Sequence, residues 1–181
     1  PTISGSGTSW TVTVTASGQG AVTIAPAAGF AVSDVAGNAA TTAAGTDRSV
    51  TYDSVAPTLT LAQAAAQTDP TKVSSIQFTL SAGEALDGAT ITASDFTITN
   101  GSAPTITGSG SSWTITTTAT ADGAVTIAPS GTFSVSDIAG NTQGTAGGSD
   151  RSVAYDTTAP TLTLEQAAGQ SDPANSPSIA F

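Results

Sequence analysis

The sequence predicts an all-β protein made of sandwich domains arranged in tandem. Three observations carry that expectation. The chain repeats itself: Trp10 matches Trp113, Asp34 matches Asp137, Tyr52 matches Tyr155, Pro57 matches Pro160 and Phe78 matches Phe181, and every offset is 103. The overlap needs no gap, and about two-thirds of its positions are identical, which marks a tandem array. Within each unit, apolar and polar residues alternate over short runs bounded by Gly, Pro, Asn and Asp, the period of half-buried strands. Only 9% of residues are charged, against about 25% in ordinary globular domains. Polarity comes instead from Ser, Thr, Asn and Gln, which suits strands with hydroxyl-bearing outer faces.

A 103-residue period is longer than the roughly 20–50 residues of a solenoid unit, so each repeat is expected to be a self-contained domain, beads on a string. On this reading residues 56–156 form one complete repeat. Residues 1–55 are the C-terminal half of a preceding repeat, and 157–181 the N-terminal strands of a following one. The chain begins at Pro1 rather than Met and is read as a piece of a longer protein.

Inside 56–156 the elements follow in order. Leu59 and Leu61 alternate with Thr58 and Thr60 as a first strand. Ala62–Gln67 has the composition of a helical turn but is too short to stand as a helix. Ile76, Phe78 and Leu80 alternate with Gln77, Thr79 and Ser81, and a loop over 82–88 follows. Phe96 and Ile98 form a strand that ends at Asn100-Gly101, a hairpin signal. Ile106 lies in a short strand before the turn at Gly108-Ser109-Gly110, and Trp113 and Ile115 in the next. Asp122-Gly123 is a second hairpin signal, followed by Val125 and Ile127. Phe133 and Val135 lead to Ser136-Asp137-Ile138-Ala139-Gly140-Asn141, a Gly-rich loop spans 144–149, and Val153 and Tyr155 close the unit. About seven strands in about 100 residues is the signature of an immunoglobulin-like sandwich, here without the cysteines of antibody domains.

Composition excludes several functions. Thirteen acidic residues against three basic ones give a net charge of -10, the wrong sign for nucleic acid or anionic lipid and the right one for divalent cations. With no Cys and no His, there is no thiolate zinc site, disulfide or Ser-His-Asp arrangement. No apolar run approaches the roughly 20 residues of a spanning helix. Gly5-Ser6-Gly7 and Gly108-Ser109-Gly110 lack the lysine of a phosphate loop and read as turns. A glycosidase-like pair of Glu84 and Asp87 lacks an aromatic cleft around it. No enzymatic activity is expected.

Three motifs carry a family likeness: Tyr155-Asp156-Thr157-Thr158-Ala159-Pro160 followed by Thr-Leu-Thr-Leu, Gln166–Gln170 with Asp172-Pro173, and Ser136–Asn141. Together they resemble the bacterial immunoglobulin-like tandem repeats of giant surface adhesins and biofilm-associated proteins. One difference is that Gly83-Glu84-Ala85 stands where that family often carries Ser-Glu-Pro. The resemblance implies an extracellular, cell-surface location and a structural role: repeats extend a stalk between an anchor and a distal adhesive region, some stiffened by calcium between domains.

Topology says which acidic residues meet. In such a sandwich Glu84 and Asp87 of the B–C loop and Asp137 and Asn141 of the F–G region lie at the end where the chain enters, and Asp53 arrives there from the preceding repeat. Clustered carboxylates repel unless a cation or a shifted protonation relieves them, and calcium takes about six to eight oxygens. The alternative is that Asp137 and Asn141 only shape a turn, with Gly140 supplying positive φ. Asp156 holds Asp53's position at the next joint.

Trp10 and Trp113 are in phase with inward residues and are expected in the core rather than as sugar-stacking platforms. Tyr52 and Tyr155 share that phase. The Thr-rich faces, such as Thr11, Thr13 and Thr15, are ordinary exposed strand. The expected partners are neighbouring repeats of the same chain. Two other functions remain open: a filament or surface-layer subunit assembled with other copies by strand exchange, and a glycan-binding adhesive module.

Overall fold

The structure, a computed structural model, describes residues 1–181. It contains β-strands and two short 3-10 turns, and no helix long and apolar enough to cross a membrane. Residues 56–156 hold nine strands: β7 (Leu59–Gln63), β8 (Ser75–Ala82), β9 (Phe96–Thr99), β10 (Thr105–Ser109), β11 (Ser112–Thr118), β12 (Gly123–Pro129), β13 (Val135–Ser136), β14 (Thr142–Gln143) and β15 (Ser152–Tyr155). They form a four-stranded antiparallel sheet in the order β10-β11-β8-β7, a three-stranded one in the order β15-β12-β9, and the small β13-β14 ribbon.

Alternation places the core. Leu59, Leu61, Ile76, Phe78, Leu80 and Ile115 face inward from the first sheet; Phe96, Val125, Ile127 and Val153 do so from the second. All belong to one apolar cluster shared by the two sheets, the arrangement of a β-sandwich. Each such side chain contributes about 1.5–3 kcal/mol through burial. Phe96 and Phe133 meet edge to face with ring centroids 5.9 Å apart. Buried polar atoms are satisfied: Thr117 Oγ1 donates to the Ser102 carbonyl at 2.7 Å, and Asp95 accepts from the Thr92 backbone N–H and hydroxyl.

A seam joins the sheets. The chain over 146–151 runs parallel to β7: the Leu61 N–H donates to the Gly147 carbonyl, the Gly147 N–H to the Leu59 carbonyl, and the Gln63 N–H to the Asp150 carbonyl. Arg151 fixes this seam by donating to the carbonyls of Leu61, Ala146 and Gly147. At Gly148, with φ 108°, a Cβ would lie 2.1 Å from the Leu61 carbonyl oxygen, so only glycine fits.

Several expected features differ. Asn100-Gly101 and Asp122-Gly123 are not hairpins: β9 and β12 belong to one sheet while β10 and β11 belong to the other, so these turns carry the chain between sheets. Asn100 does take the left-handed conformation, φ 57°. Ala62–Gln67, by contrast, forms no helix, as its length implied: β7 pairs with β8 as far as Gln63 and a turn follows. The loop after β8 contains the two 3-10 turns, Gly88–Thr90 and Ala93–Asp95, the second closed by a Thr92–Asp95 capping box.

Residues 1–55 form three separate strand pairs: β1 (Thr2–Ser6) with β2 (Ser9–Thr13), β3 (Gly20–Thr23) with β6 (Ser49–Tyr52), and β4 (Val32–Ser33) with β5 (Ala39–Ala40). Each register reappears 103 positions on: Thr2↔Thr13 as Thr105↔Thr116, Gly20↔Tyr52 as Gly123↔Tyr155, Val32↔Ala40 as Val135↔Gln143. The burial does not reappear. Trp10 is 61% exposed, and Val12, Val14 and Val50 are exposed as well, because residues 1–55 contain no counterpart of β7, β8 or β9 to cover them. The expected core position of Trp10 is therefore not realised, whereas Trp113 packs partly buried against the cluster and donates Nε1–H to the Gly110 carbonyl at 3.1 Å. Tyr155 likewise packs against the cluster while Tyr52 is exposed. Residues 157–181 form no strands.

Candidate metal centre

The joint between β6 and β7 carries the only cluster of carboxylates. Asp53 follows the last residue of β6. Glu84 lies two residues beyond β8, in a loop held at both ends: the Gly83 N–H donates to the Thr58 carbonyl and the Leu86 N–H to the Gly110 carbonyl. A bridge between Leu86 and Asp137 draws this loop against the turn after β13. One carboxylate oxygen each from Asp53, Glu84 and Asp137 lies within 4.8 Å of the others.

Each carboxylate is held differently. Asp137 is 2% exposed. Its Oδ1 accepts from the Asn141 backbone N–H at 2.9 Å and its Oδ2 from Asn141 Nδ2 at 2.8 Å. Desolvation pushes its pKa up, but the Asn141 side chain and backbone, with the Gly140 and Ala139 N–H groups, outweigh this and hold it below the ordinary value. Asp53 Oδ1 accepts from Gln19 Nε2 at 2.9 Å and from the Val55 N–H at 3.1 Å. Glu84 is the group under stress: desolvation, then the charges of Asp53 and Asp137, then a hydrogen bond with Asp53 raise its pKa above the ordinary value. No basic side chain relieves it, since Arg151 is directed to backbone carbonyls on the seam.

The other sequence-predicted ligands fall elsewhere. Asp87 is outside the cluster. It caps the first 3-10 turn, its Oδ1 accepting from the Ala89 N–H at 3.0 Å. Asn141 turns its amide nitrogen to Asp137. The same turn occurs at Asp34 and Asn38, with bonds of 2.8 and 2.9 Å and no acidic neighbours, so Asn141 belongs to the turn that shapes the site. Asp156 lies at the second joint, its Oδ1 accepting from the Thr158 N–H at 2.8 Å, apart from the cluster. Gln19, which sequence reasoning missed, ties Asp53 and the following Ser54 together: its Oε1 accepts from the Ser54 N–H. At the equivalent position Asp122 accepts from Thr157 and Thr158. The only sequence signal was their placement before a positive-φ glycine that starts a strand.

Chemically, three carboxylates supply up to six oxygens, enough with water or backbone carbonyls for a hard divalent cation. The set contains no nitrogen or sulfur donor. No family model, curated protein or solved structure matches the chain.

Proposed function

We propose that the chain is a structural extender, a stalk segment of a large secreted or cell-surface adhesin. Its units are tandem immunoglobulin-like sandwiches of about 103 residues. The observation that carries this reading is the residue-by-residue repetition of three strand registers at that spacing. The sheet orders β10-β11-β8-β7 and β15-β12-β9 correspond to the D-E-B-A and G-F-C sheets of a constant-type immunoglobulin domain. Residues 1–55, 56–156 and 157–181 are then the end of one unit, a whole unit and the start of another.

The role is mechanical rather than catalytic. Each unit adds about 40 Å, and the joint from Asp53 to Pro57 sets how freely successive units bend. Calcium bridging Asp53 of one unit to Glu84 and Asp137 of the next stiffens that joint. Small-angle scattering with calcium and with chelator tests this: chelation shortens the mean end-to-end dimension and broadens its distribution. An unchanged maximum dimension would remove calcium from the reading and leave the extender.

A further inference from the structure

Asn100-Gly101 is the one Asn-Gly pair in the sequence, and it lies where the chain crosses from β9 in one sheet to β10 in the other. The dipeptide has a chemistry of its own. The Gly101 main-chain nitrogen can attack Asn100 Cγ and close a cyclic imide. An N–C bond forms, the Cγ–Nδ2 bond breaks, and the Gly101 amide proton leaves with Nδ2 as ammonia. Solvent water then opens the ring at either carbonyl, giving aspartate or isoaspartate. The reaction needs no oxidant or enzyme, and glycine brings no side chain to hinder the attack.

The fold holds this pair closed. Asn100 is half-buried in the left-handed conformation, φ 57°. Its Nδ2 donates to the Ala121 carbonyl at 2.7 Å, and its Oδ1 accepts from Thr120 Oγ1 at 3.1 Å. The main chain is tied on both sides of the pair. The Thr120 N–H donates to the Asn100 carbonyl at 3.1 Å, the Ser102 N–H to the Thr118 carbonyl at 2.9 Å, and Thr117 Oγ1 to the Ser102 carbonyl at 2.7 Å. Gly101 bridges to Ala119 between these bonds. It is packed so closely that a Cβ there would lie 2.6 Å from Thr117 Oγ1 and 2.8 Å from Ile98 Cγ2. Attack needs the reacting atoms about 3–3.5 Å apart and aligned, which means turning the Asn100–Gly101 peptide out of these bonds. The Thr120 hydroxyl alone would polarise the amide toward attack. The block is therefore the main-chain clamp, and it lasts only while β11 stays in place.

We propose that Asn100-Gly101 is a modification site gated by the fold: inert in the closed 56–156 unit, reactive once the unit opens, and unable to rebuild its turn after reaction. Aspartate at this position sets an oxygen where Nδ2 donates, facing the Ala121 carbonyl and two residues from Asp122. Two acceptors then face each other without a proton between them, which destabilises the closed form. Isoaspartate lengthens the main chain by one carbon, so the bonds from Thr120 to Asn100 and from Ser102 to Thr118 no longer form together. An opening that lasts long enough to react becomes permanent. In an extender, tension is what opens units, and the pair records it. That consequence rests on the extender reading; the chemistry does not.

Mass spectrometry on the full chain tests it. The wild type is held in mildly alkaline buffer and, in parallel, in urea beyond its unfolding midpoint. Peptides spanning Asn100 are scored for conversion of the amide to an acid, and isoaspartate is counted by enzymatic methylation. Asn100 reacts at least about tenfold more slowly in buffer, because the rate follows the open population. Phe78→Ala loosens the core without touching the pair, so it raises the rate in buffer and leaves the rate in urea unchanged. Gly101→Ala, compared in urea so that folding plays no part, slows the reaction. Asn100→Asp lowers the urea midpoint of the unit. Equal rates in buffer and urea, or a Phe78→Ala rate in buffer no faster than the wild type's, overturn the gate. A pair that stays unreacted in urea overturns the modification site. An Asn100→Asp chain with the wild-type midpoint overturns the loss of the turn. None of these results touches the repeated strand registers, so the extender reading fails separately, through scattering.

Discussion

Gln19 donates its side-chain amide to Asp53 at 2.9 Å and accepts from the Ser54 N–H, so a neutral residue pins the joint beside the acidic cluster. Asp53 Oδ1 is thereby occupied, accepting from Gln19 Nε2 and the Val55 N–H. Gln19→Ala frees the joint without altering any carboxylate. The expected outcome is faster amide exchange at Ser54 and Val55 and weaker calcium binding by calorimetry, with the melting temperature of residues 56–156 unchanged.

The stress on Glu84 gives a pH dependence with a definite sign. Its folded pKa is raised above the unfolded value, so the folded state holds that proton more tightly. Stability is fully present below the unfolded pKa and is lost as pH rises through the folded pKa. Glu84→Gln therefore raises the melting temperature at neutral pH in chelator and changes it little below about pH 4. On the proposed calcium bridge the order should reverse with calcium present, because the variant lacks one of the three carboxylates. Thermal melts over a pH series, with and without calcium, read both effects.

Asp122 shows the opposite sign. Hydrogen bonds from the Thr158 and Thr157 side chains, against some desolvation, depress its pKa. Its contribution is present above the unfolded pKa and lost as pH falls through the folded one. Asp122→Ala should speed exchange of the Thr157 amide about tenfold at neutral pH. The wild type should approach the same rate, after correction for intrinsic exchange, only in strong acid.

Core and uncovered positions should separate cleanly. Phe78 is fully buried, and Phe78→Ala should cost about 3–5 kcal/mol in urea unfolding. Trp10→Ala, at a largely exposed site, should cost under about 1 kcal/mol. A comparable loss at both would mean that Trp10 is covered in solution.

Gly148 and Gly45 share positive φ, so alanine strains the backbone at each. Only at Gly148 does the Leu61 carbonyl oxygen also stand 2.1 Å from the new Cβ. Gly148→Ala should lower the melting temperature of its unit well beyond what Gly45→Ala does in the monomer. Equal shifts would show that the seam beside β7 yields easily.

Strands were legible wherever one face is buried, because Leu59, Leu61, Ile76, Phe78 and Leu80 alternate with polar residues. What alternation does not encode is which sheet a strand joins. Asn100-Gly101 and Asp122-Gly123 have hairpin chemistry, yet positive φ serves a change of sheet equally well. The 3-10 turn at Ala93–Asp95 has a readable signal in the Thr92-x-x-Asp95 spacing. In the site, loop placement drew Asp53, Glu84 and Asp137 together on paper. Loop placement puts Asp87 in the same loop but does not specify the N–H partner that makes it a turn cap. Gln19 carries no comparable signal, because it bears no charge and lies far along the chain from Asp53.

The seam beside β7 has a consequence when the chain is pulled. The segments at the two ends of the 56–156 unit run parallel, bridged at Thr60↔Gly147 and again at Thr71↔Tyr155. Tension applied through the joints drags these segments in opposite directions along their length. The bonds from Leu61, Gln63 and Thr71, with the Arg151 clamp across them, are then loaded in shear and must fail together rather than peel one by one. Forced unfolding is governed by the unfolding barrier rather than by equilibrium stability. A single unit can therefore be modest in a thermal melt and still resist extension, and Arg151→Ala should lower its rupture force more than its melting temperature.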